Sequence, residues 1–251
     1  MEILYKYAAD ATGNVVHISK ALKGESYYCP DCKDNFILKK GNIRQYHFAH
    51  SHTSANCNSE GYLHKTFKKL LSQKLKEHVE KNTQLVIEWI CNICGNKHTA
   101  DLIKNINDVK EEQPLIGCRP DISLIDKIGT ISIIIEIVDT HEPERNVIEF
   151  CQNNNVVLII IKLESLSDLE NVEKKIKTPT SLFYFNKMSC ITYYNHALQQ
   201  HNMQQQLATQ MRVRTPNRIL QRGPRIDEVV AKHERQQRAI RNNYSKKSRR
   251  K

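Results

Sequence analysis

Two acidic residues stand in strongly apolar surroundings on either side of a predicted hairpin turn. Asp121 follows an Arg-Pro pair and leads into one run of aliphatic residues, and Glu136 lies within a second run that begins at Ile131. Residues 126–129 supply the turn that would join the two runs as neighbouring strands. A buried carboxylate without a partner carries a large desolvation cost. The pattern therefore predicts either a cation held between Asp121 and Glu136, or two strand-end carboxylates that face solvent.

Cysteine and histidine recur at zinc-ligand spacing in the N-terminal part of the chain. Cys29 and Cys32 form a C-x-x-C turn, from which two thiolates can converge on one ion. A tetrahedral zinc site needs two more ligands, and the nearby candidates are His47, His50, His52 and Cys57. In an extended segment His47 and His50 lie on opposite faces, so we expect only one of them to bind the metal. Because so small a unit cannot be held by apolar burial alone, we expect a structural Zn²⁺ there.

A second C-x-x-C turn, from Cys91 to Cys94, lies between strands predicted at residues 84–89 and 98–103. The candidate additional ligands are His98, Cys118 and Cys190, and each of them needs a specific fold to come close. Two interpretations stay open here, a second Zn²⁺ site and a turn with free thiols.

The elements that would position these residues begin with a helix predicted over residues 59–80. Leucine, phenylalanine and valine recur there at three- and four-residue steps, which is the pattern of a half-buried helix. Glu60, His64 and Lys68 share one stripe of this helix because they are spaced four residues apart. The stripe is either a solvated face with charge pairs or a functional edge.

The rest of the central region predicts a mixed β-sheet with helices packed on it. After the acidic hairpin come a helix starting near Pro143, a β-branched strand at residues 156–161, a helix at residues 169–176 and an edge strand at residues 181–185. The fold class predicted from this order is α/β.

The charge distribution separates the folded part of the chain from its C-terminal end. The net charge is +11, and residues 203–251 hold 14 Lys and Arg against three Asp and Glu, which accounts for all of it. Few apolar residues follow about Tyr194, so we expect a mostly disordered basic tail. Its last six residues either attract the phosphates of DNA or RNA or only keep the chain in solution. The predicted organisation is a zinc-ribbon-like module at 1–58, an α/β domain at 59–193 and the tail at 194–251.

The sequence also bears on the compartment. No apolar segment follows the first charged residues, so a secretory signal peptide is not predicted, and no apolar run approaches the length of a membrane span. We expect an intracellular, cytoplasmic protein without a membrane partner. In a reducing compartment the eight cysteines are metal ligands or buried thiols rather than disulfides.

Two sets of motifs resemble a known protein family. The first set comprises C-P-D-C at residues 29–32, a turn at Gly41, H-F-A-H at residues 47–50, Cys57, and Ser59-Glu60 followed by His64 and Lys68. It resembles the N-terminal region of competence proteins of the CoiA type. The second set, R-P-D ending at Asp121 and E-I-V starting at Glu136, is similar to the core of a PD-(D/E)XK nuclease, the domain that follows in that family. The resemblance covers about residues 1–190.

The resemblance implies a restriction-endonuclease-like fold, in which helices flank a mixed β-sheet, and a nuclease that acts in DNA processing, uptake or recombination. Asp121 and Glu136, with the carbonyl of Ile137, would hold one or two Mg²⁺ or Mn²⁺ ions. Such an ion polarises the scissile phosphate and lowers the pKa of an attacking water. Oxygen ligands suit Mg²⁺ and thiolates suit Zn²⁺, so we expect two metals with different roles.

One position departs from the pattern of the family. The lysine that the family carries two residues after the glutamate is Val138 here, which can neither orient a water molecule nor stabilise charge on a phosphate. The candidates for this role are His141, Lys162 at the end of the next strand, and Lys65 or Lys68 on the first helix. Glu60 is a further candidate catalytic residue on that helix. If none of them acts, the chain is a catalytically inactive nuclease-like protein that binds nucleic acid through its zinc module and tail.

Overall fold

A computed structural model describes residues 5–42, 45–52, 57–139 and 141–214. The chain divides into two compact units, Met1–Tyr193 and Tyr194–Lys251. In the first unit, buried side chains of the N-terminal strands, the central helix and the central sheet form one continuous core. The domain boundaries predicted after residues 58 and 193 stay predictions, and the second coincides with the division between the units.

Five short strands form an antiparallel sheet near the N-terminus. They are β1 (Tyr7–Ala9), β2 (Val15–His17), β3 (Tyr27–Tyr28), β4 (Asn35–Lys39) and β5 (His47–His50), in the order β2-β1-β3-β4-β5. Phe36 and Phe48 point into the core, where their ring centroids lie 5.9 Å apart. The register of β4 and β5 pairs Phe36 with His50. The sheet thereby carries His50 close to the cysteine turn that connects β3 to β4.

A long helix, α1 (Ser59–Glu80), follows this sheet and agrees with the predicted range. It begins where the side chain of Asn58 accepts a hydrogen bond from the Gly61 amide at 2.6 Å, which satisfies one of the unpaired N–H groups of the first turn. Apolar side chains at three- and four-residue steps form its buried face, among them Leu63, Phe67, Leu71 and Leu75.

The rest of the first unit contains a two-stranded ribbon and a five-stranded mixed sheet. The ribbon pairs β6 (Val86–Ile90) with β7 (Lys97–Asp101). The sheet has the order β12-β11-β10-β9-β8 and consists of β8 (Ile106–Glu111), β9 (Ile122–Asp126), β10 (Ile131–Val138), β11 (Val157–Lys162) and β12 (Ser181–Phe183). Strands β10 and β11 are parallel, and the other neighbours are antiparallel. The prediction of a mixed α/β structure is therefore confirmed, although β8 was not predicted because only two of its six residues are apolar.

One helix packs on the sheet and connects its two parallel strands, and further helical segments follow it in the chain. Helix α2 (Arg145–Asn154) links β10 to β11, and its residues Val147 and Cys151 pack against Ile134 and Leu158 of the sheet. A 3₁₀ turn at Leu166–Asn171 leads into α3 (Val172–Lys177), and a second one at Lys187–Ser189 precedes α4 (Ile191–Arg214). The crossover through α2 is needed because two parallel neighbouring strands cannot be joined by a tight hairpin turn.

Helix α4 runs into the segment that was predicted to be a mostly disordered tail. Residues 194–214 are helical, whereas the strongly basic residues 215–251 lie outside the described residues. The prediction of disorder stays a prediction for them. Among the helices that the structure describes, none has both the length and the apolar character needed to cross a membrane.

Candidate active site and metal centres

The hairpin of β9 and β10 interlocks the two acidic residues through the backbone. Ile122 pairs with Ile135 in the antiparallel register, so Asp121, directly before β9, lies level with Glu136 in β10. The amide of Asp121 donates a hydrogen bond to Glu136 Oε1 at 3.1 Å, and the amide of Ile137 donates to Asp121 Oδ2 at 3.0 Å. Each carboxylate is thus held by a main-chain group of the opposite strand.

Helix α1 directs a histidine and a lysine at Asp121. His64 Nε2 lies 3.2 Å from Asp121 Oδ2 and 3.0 Å from the carbonyl oxygen of Ile137. Lys68, one turn further along, donates to Asp121 Oδ1 at 3.0 Å and to Glu112 Oε1 at 2.6 Å. Lys68 is only 5% exposed, although lysine is almost never fully buried unless it is paired. This part of the helix stripe therefore faces the acidic residues rather than solvent.

Burial and neighbouring charges shift the pKa values of these groups in different directions. Burial, followed by the nearby Asp121 carboxylate, raises the pKa of Glu136 to about 7. Burial also acts to raise the pKa of Asp121, but the hydrogen bond from His64 and the charge of Lys68 outweigh it and hold that pKa below its usual value. The ionised form of Glu136 is consequently the disfavoured one, and a cation close to it would stabilise it.

The two cationic partners of Asp121 are affected in the opposite sense. The hydrogen bond to Asp121 raises the pKa of His64 against the effect of burial. Burial acts to lower the pKa of Lys68, but the carboxylates of Asp121 and Glu112 more than compensate and raise it. Lys68 is therefore a protonated ammonium group near neutral pH, in a place with little access to water.

The acidic residues are arranged less compactly than the cysteines. Among the described residues, the groups of three or more His, Cys, Asp or Glu whose ligand atoms all lie within 4.8 Å of one another are two clusters of cysteine and histidine. His64, Asp121 and Glu136 are not such a group, and Glu136 is instead hydrogen bonded to the Asp121 backbone. A cation shared by all three would require the Glu136 carboxylate to turn toward the other two.

The three other predicted catalytic residues are exposed. Glu60 lies in the first turn of α1, four residues before His64, and His141 lies in the loop between β10 and α2. Lys162 ends β11, where the parallel register pairs it with Val138. Within the described part of the chain, neither the His141 side chain nor the Lys162 side chain bonds to an acidic residue of the site.

The N-terminal sheet assembles the first cluster from Cys29, Cys32, His50 and Cys57. Cys29 Sγ lies 3.6 Å from Cys57 Sγ, and Cys32 Sγ lies 3.3 Å from His50 Nε2. Three sulfur atoms and one imidazole nitrogen at these distances could hold a metal such as zinc. Burial raises the pKa of the Cys29 thiol, so the thiolate form needs a cation beside it.

Of the two histidines in β5, only His50 joins this cluster. The buried His47 donates a hydrogen bond from Nδ1 to the carbonyl oxygen of Gln45 at 2.8 Å. The ring of His50 packs edge-on against Tyr5 and Phe36, which fixes the direction of its Nε2 atom. The spacing of three residues in an extended strand separates the two imidazoles.

The first cluster is connected to α1 through Asp31, which lies inside its C-x-x-C turn. Asp31 Oδ1 pairs with Lys65 Nζ at 2.9 Å, and the Asp31 side chain is 9% exposed. The carboxylate rests against the first turn of α1, where a Cβ atom on Gly61 would come within 2.9 Å of Asp31 Oδ2. A glycine permits this approach, and the positive end of the helix dipole favours the acid. The helix that carries His64 and Lys68 is thereby fastened to the cysteine turn.

The second cluster consists of Cys91, Cys94, His98 and Cys190. Cys94 Sγ lies 3.1 Å from His98 Nε2, and this hydrogen bond lowers the pKa of Cys94 to about 6. Of the three candidate ligands, the structure brings His98 and Cys190 to the turn, whereas Cys118 packs on the α2 side of the sheet. This set could also hold a metal such as zinc.

Glu112 is a site residue that the sequence did not single out. Its amide donates to the Asp121 carbonyl at 2.9 Å, and Arg119 binds Glu112 Oε2 at 2.8 Å. Glu112 thus joins Lys68 to the segment that leads into β9. A lysine on the buried face of a helix requires an acidic partner, and this requirement is the only signal that could have indicated Glu112.

A comparison with known families concerns the N-terminal segment. Residues 13–60 match the family model described as competence protein CoiA, N-terminal domain. This segment is CoiA-like, as its motifs predicted. It contains all four residues of the first cluster and ends in the first turn of α1. Neither a curated protein nor a solved structure matches the chain.

Proposed function

We propose that the chain is a metal-dependent nuclease of the PD-(D/E)XK type that processes DNA in competence. The observation that carries the proposal is the convergence of His64 and Lys68 on Asp121, next to Glu136. The link to competence rests on the CoiA-like N-terminal segment. The proposed nuclease activity rests on His64, Lys68, Asp121 and Glu136, which together form the acidic site and lie outside that segment.

The topology supports a restriction-endonuclease-like core. The elements α1, β8, β9, β10, α2 and β11 occur in this order along the chain, with the β6–β7 ribbon inserted after α1, and β10 and β11 are parallel in an otherwise antiparallel sheet. A mixed sheet with a helical crossover between two parallel strands supports the proposed fold. Glu136 lies in β10 and Asp121 directly before β9, so the sheet holds both carboxylates in place.

The donor atoms around Asp121 fit Mg²⁺ or Mn²⁺. His64 Nε2 lies 3.2 Å from Asp121 Oδ2 and 3.0 Å from the Ile137 carbonyl oxygen, and neighbouring ligands of an octahedral ion bound at about 2.1 Å are about 3.0 Å apart. Asp121, the Ile137 carbonyl and, once its carboxylate turns toward them, Glu136 would hold the ion, and His64 would join them only as a neutral imidazole whose Nε2 has lost the proton it now shares with Asp121. When bound, it supplies polarisation of the scissile phosphate and a lowered pKa for the attacking water.

Lys68 supplies the positive charge that Val138 cannot provide. Its ammonium group reaches Asp121 from a helix instead of from β10, and Glu112 fixes it from the other side at 2.6 Å. Because this charge is already buried and oriented, little reorganisation is needed when negative charge develops on a phosphate. In this arrangement Asp121 stays ionised and positions both His64 and Lys68.

The test is cleavage of DNA by the purified full-length chain. Linear, nicked and single-stranded DNA are incubated with Mg²⁺ or Mn²⁺, and we expect cleavage of at least one of them. Asp121→Asn and Glu136→Gln should abolish it, whereas Glu149→Gln, which changes an exposed acid on α2, should not. The proposal is wrong if the two site variants cut as well as the parent chain.

Val138 favours a second candidate function, a nuclease-like protein that binds nucleic acid without cutting it. Lys68 is engaged by two carboxylates, and an inactive fold would keep this pairing for stability alone. In that case DNA binding is independent of Mg²⁺, and no substrate is cut at any Mn²⁺ concentration. Removal of residues after 202 would then weaken binding and flatten its dependence on salt.

A further inference from the structure

Four metal-ligating side chains outside the CoiA-like segment meet at the end of the β6–β7 ribbon. The Cys91 and Cys94 thiols, the His98 imidazole and the Cys190 thiol place their ligand atoms within 4.8 Å of one another. Cys91 and Cys190 are each 1% exposed. Three of these residues come from eight consecutive positions, whereas Cys190 comes from the segment directly before α4.

The turn that carries Cys91 and Cys94 has the same hydrogen bonds as the turn of the first cluster. The Cys91 amide donates to the Asn96 carbonyl at 2.9 Å, and the Gly95 amide donates to the Cys91 carbonyl at 2.9 Å. In the first cluster, the matching distances are 2.8 Å for Cys29 to Asp34 and 3.0 Å for Lys33 to Cys29. In both turns two further backbone amides are hydrogen bonded to the sulfur of the first cysteine, and the two thiols lie within reach of one ion.

The residue after the second cysteine has a positive φ in both turns, 65° at Lys33 and 71° at Gly95. Glycine adopts this conformation without strain, so the second turn is formed at lower cost than the first. Two turns with unrelated intervening residues therefore converge on one backbone geometry, which is the geometry of a metal-binding knuckle.

We propose that Cys91, Cys94, His98 and Cys190 bind a zinc ion in a closed structural site that fastens the β6–β7 ribbon to the end of the central sheet. Three sulfur atoms and one nitrogen suit Zn²⁺ and do not suit Mg²⁺ or Ca²⁺. Four protein ligands fill the tetrahedral coordination, so no position is left for a substrate. The site is a staple and goes beyond the proposed nuclease function, on which it does not depend.

The position of Cys190 determines which part of the chain the bound ion would close into a loop. All five strands of the central sheet lie between His98 and Cys190, together with Asp121 and Glu136. The ion would therefore close a loop of roughly 90 residues, and a cross-link of such a long loop removes much of the freedom of the unfolded chain.

Direct contacts already fix the position of the ribbon at the edge of the sheet, beside the second cluster. Asn92, inside the C-x-x-C turn, donates from Nδ2 to the Tyr184 carbonyl at 3.0 Å and accepts from the Tyr184 amide at 3.0 Å. Trp89 stacks on His98 at 5.8 Å and meets the edge of Tyr184 at 6.1 Å. The ribbon also buries Ile87 in the main core, and the ion would add a tie between the end of the ribbon and the segment that follows the sheet.

The proposal is tested by the zinc content of the purified full-length chain. We expect two zinc ions per chain in the parent and one in Cys190→Ser. Cys118→Ser is the matched control, because Cys118 is a half-buried thiol outside both clusters, and it should keep two. Equal zinc content in the parent and in Cys190→Ser, including none in both, would overturn the proposal.

Cobalt substitution covers the case in which Cys190→Ser fails to fold. Each cluster has three thiolates, so the thiolate-to-cobalt absorption of His98→Cys should rise above that of the parent while the chain still holds two ions. An unchanged absorption contradicts the assignment of His98. The thiol count of the denatured, metal-free parent should be eight, and a count of six would show a disulfide in place of the metal site.

Discussion

The two Cys/His clusters have the same local construction but differ in what they connect. Each has a C-x-x-C turn, a histidine and a third cysteine. In the first cluster the third cysteine, Cys57, is only 28 residues from Cys29. In the second, the third cysteine lies beyond the whole central sheet. The turn is therefore a local unit, and the distant ligand decides which parts of the chain it holds together.

The two clusters also differ in their relation to the acidic site. The first touches α1 through Asp31 and Lys65, and α1 carries the two side chains that reach Asp121. The second contacts the ribbon and the edge strand β12, at the side of the sheet opposite to β8. We expect the first cluster to influence the chemistry of the acidic site and the second to influence mainly the stability of the fold.

The largest expected effect is on stability. By analogy with a cross-link from the first to the third cysteine of each cluster, a closed loop of about 28 residues contributes about 3.6 kcal/mol and one of about 99 residues contributes about 4.7 kcal/mol. Cys190→Ser should therefore lower the free energy of unfolding by about 1 kcal/mol more than Cys57→Ser does. Urea denaturation of the zinc-loaded full-length variants measures both values. A larger loss in Cys57→Ser would contradict the expectation that the longer closed loop contributes more to stability.

The next largest effect concerns the positive charge that Lys68 of α1 places beside Asp121. Lys68→Met keeps the length of the side chain but removes its charge, and we expect kcat for DNA cleavage to fall by about 10²- to 10³-fold. Lys74→Met, which changes an exposed lysine of the same helix, is the control and should stay near the parent value. If the two variants have equal kcat values, Lys68 does not replace the family lysine.

A variant of His64 tests the contribution of α1 through metal binding instead of catalysis. If its imidazole is a ligand, His64→Ala should weaken the binding of Mn²⁺ by roughly 10-fold or more. Titration of the zinc-loaded chain with Mn²⁺ measures this without any need for catalysis. Stronger binding in the variant would mean that His64 only occupies the oxygens of Asp121 and Ile137 in the absence of the ion.

The smallest expected effect tests the link between the first cluster and α1. Lys65→Gln removes a partly exposed ion pair, which is worth less than about 1 kcal/mol, so Mn²⁺ affinity should fall by roughly fivefold at most. Gly61→Ala displaces the same Asp31 carboxylate and should give a similar loss with unchanged zinc content. Lys74→Gln, which removes a more exposed ion pair further along the same helix, serves as the reference. No change in either variant would show that the cluster and the acidic site are independent.

Local patterns gave most of the central elements correctly. Helix α1 has a regular apolar spacing and a capping asparagine, and the hairpin of β9 and β10 has two long aliphatic runs with a turn between them. Strand β8 escaped prediction because its outer face is charged, and pairing with β9 rather than its own composition makes it a strand. The helical start of the tail escaped prediction because it has few apolar residues to reveal a packed face.

The site residues fall into the same two groups, those that local patterns predict and those that only the fold brings together. Asp121 and Glu136 could be proposed as partners because a hairpin brings its two strands together, and the two C-x-x-C turns because their ligands are three residues apart. The choice of Lys68 over Lys65 as the lysine beside Asp121 depends on the rotation of α1 against the sheet, which no local pattern specifies. Glu112 depends in turn on where Lys68 ends.

The sequence by itself determined the types of ligand and the short-range geometry, since thiolates at C-x-x-C spacing and carboxylates on a hairpin need only neighbouring residues to come together. Only the tertiary structure decided which distant residues complete each group. It chose His50 over His47 and Cys190 over Cys118, and it brought His64 and Lys68 to Asp121. The physical reason is that these choices follow from how the helix, the ribbon and the sheet bury their apolar faces against one another, which is a property of the whole chain.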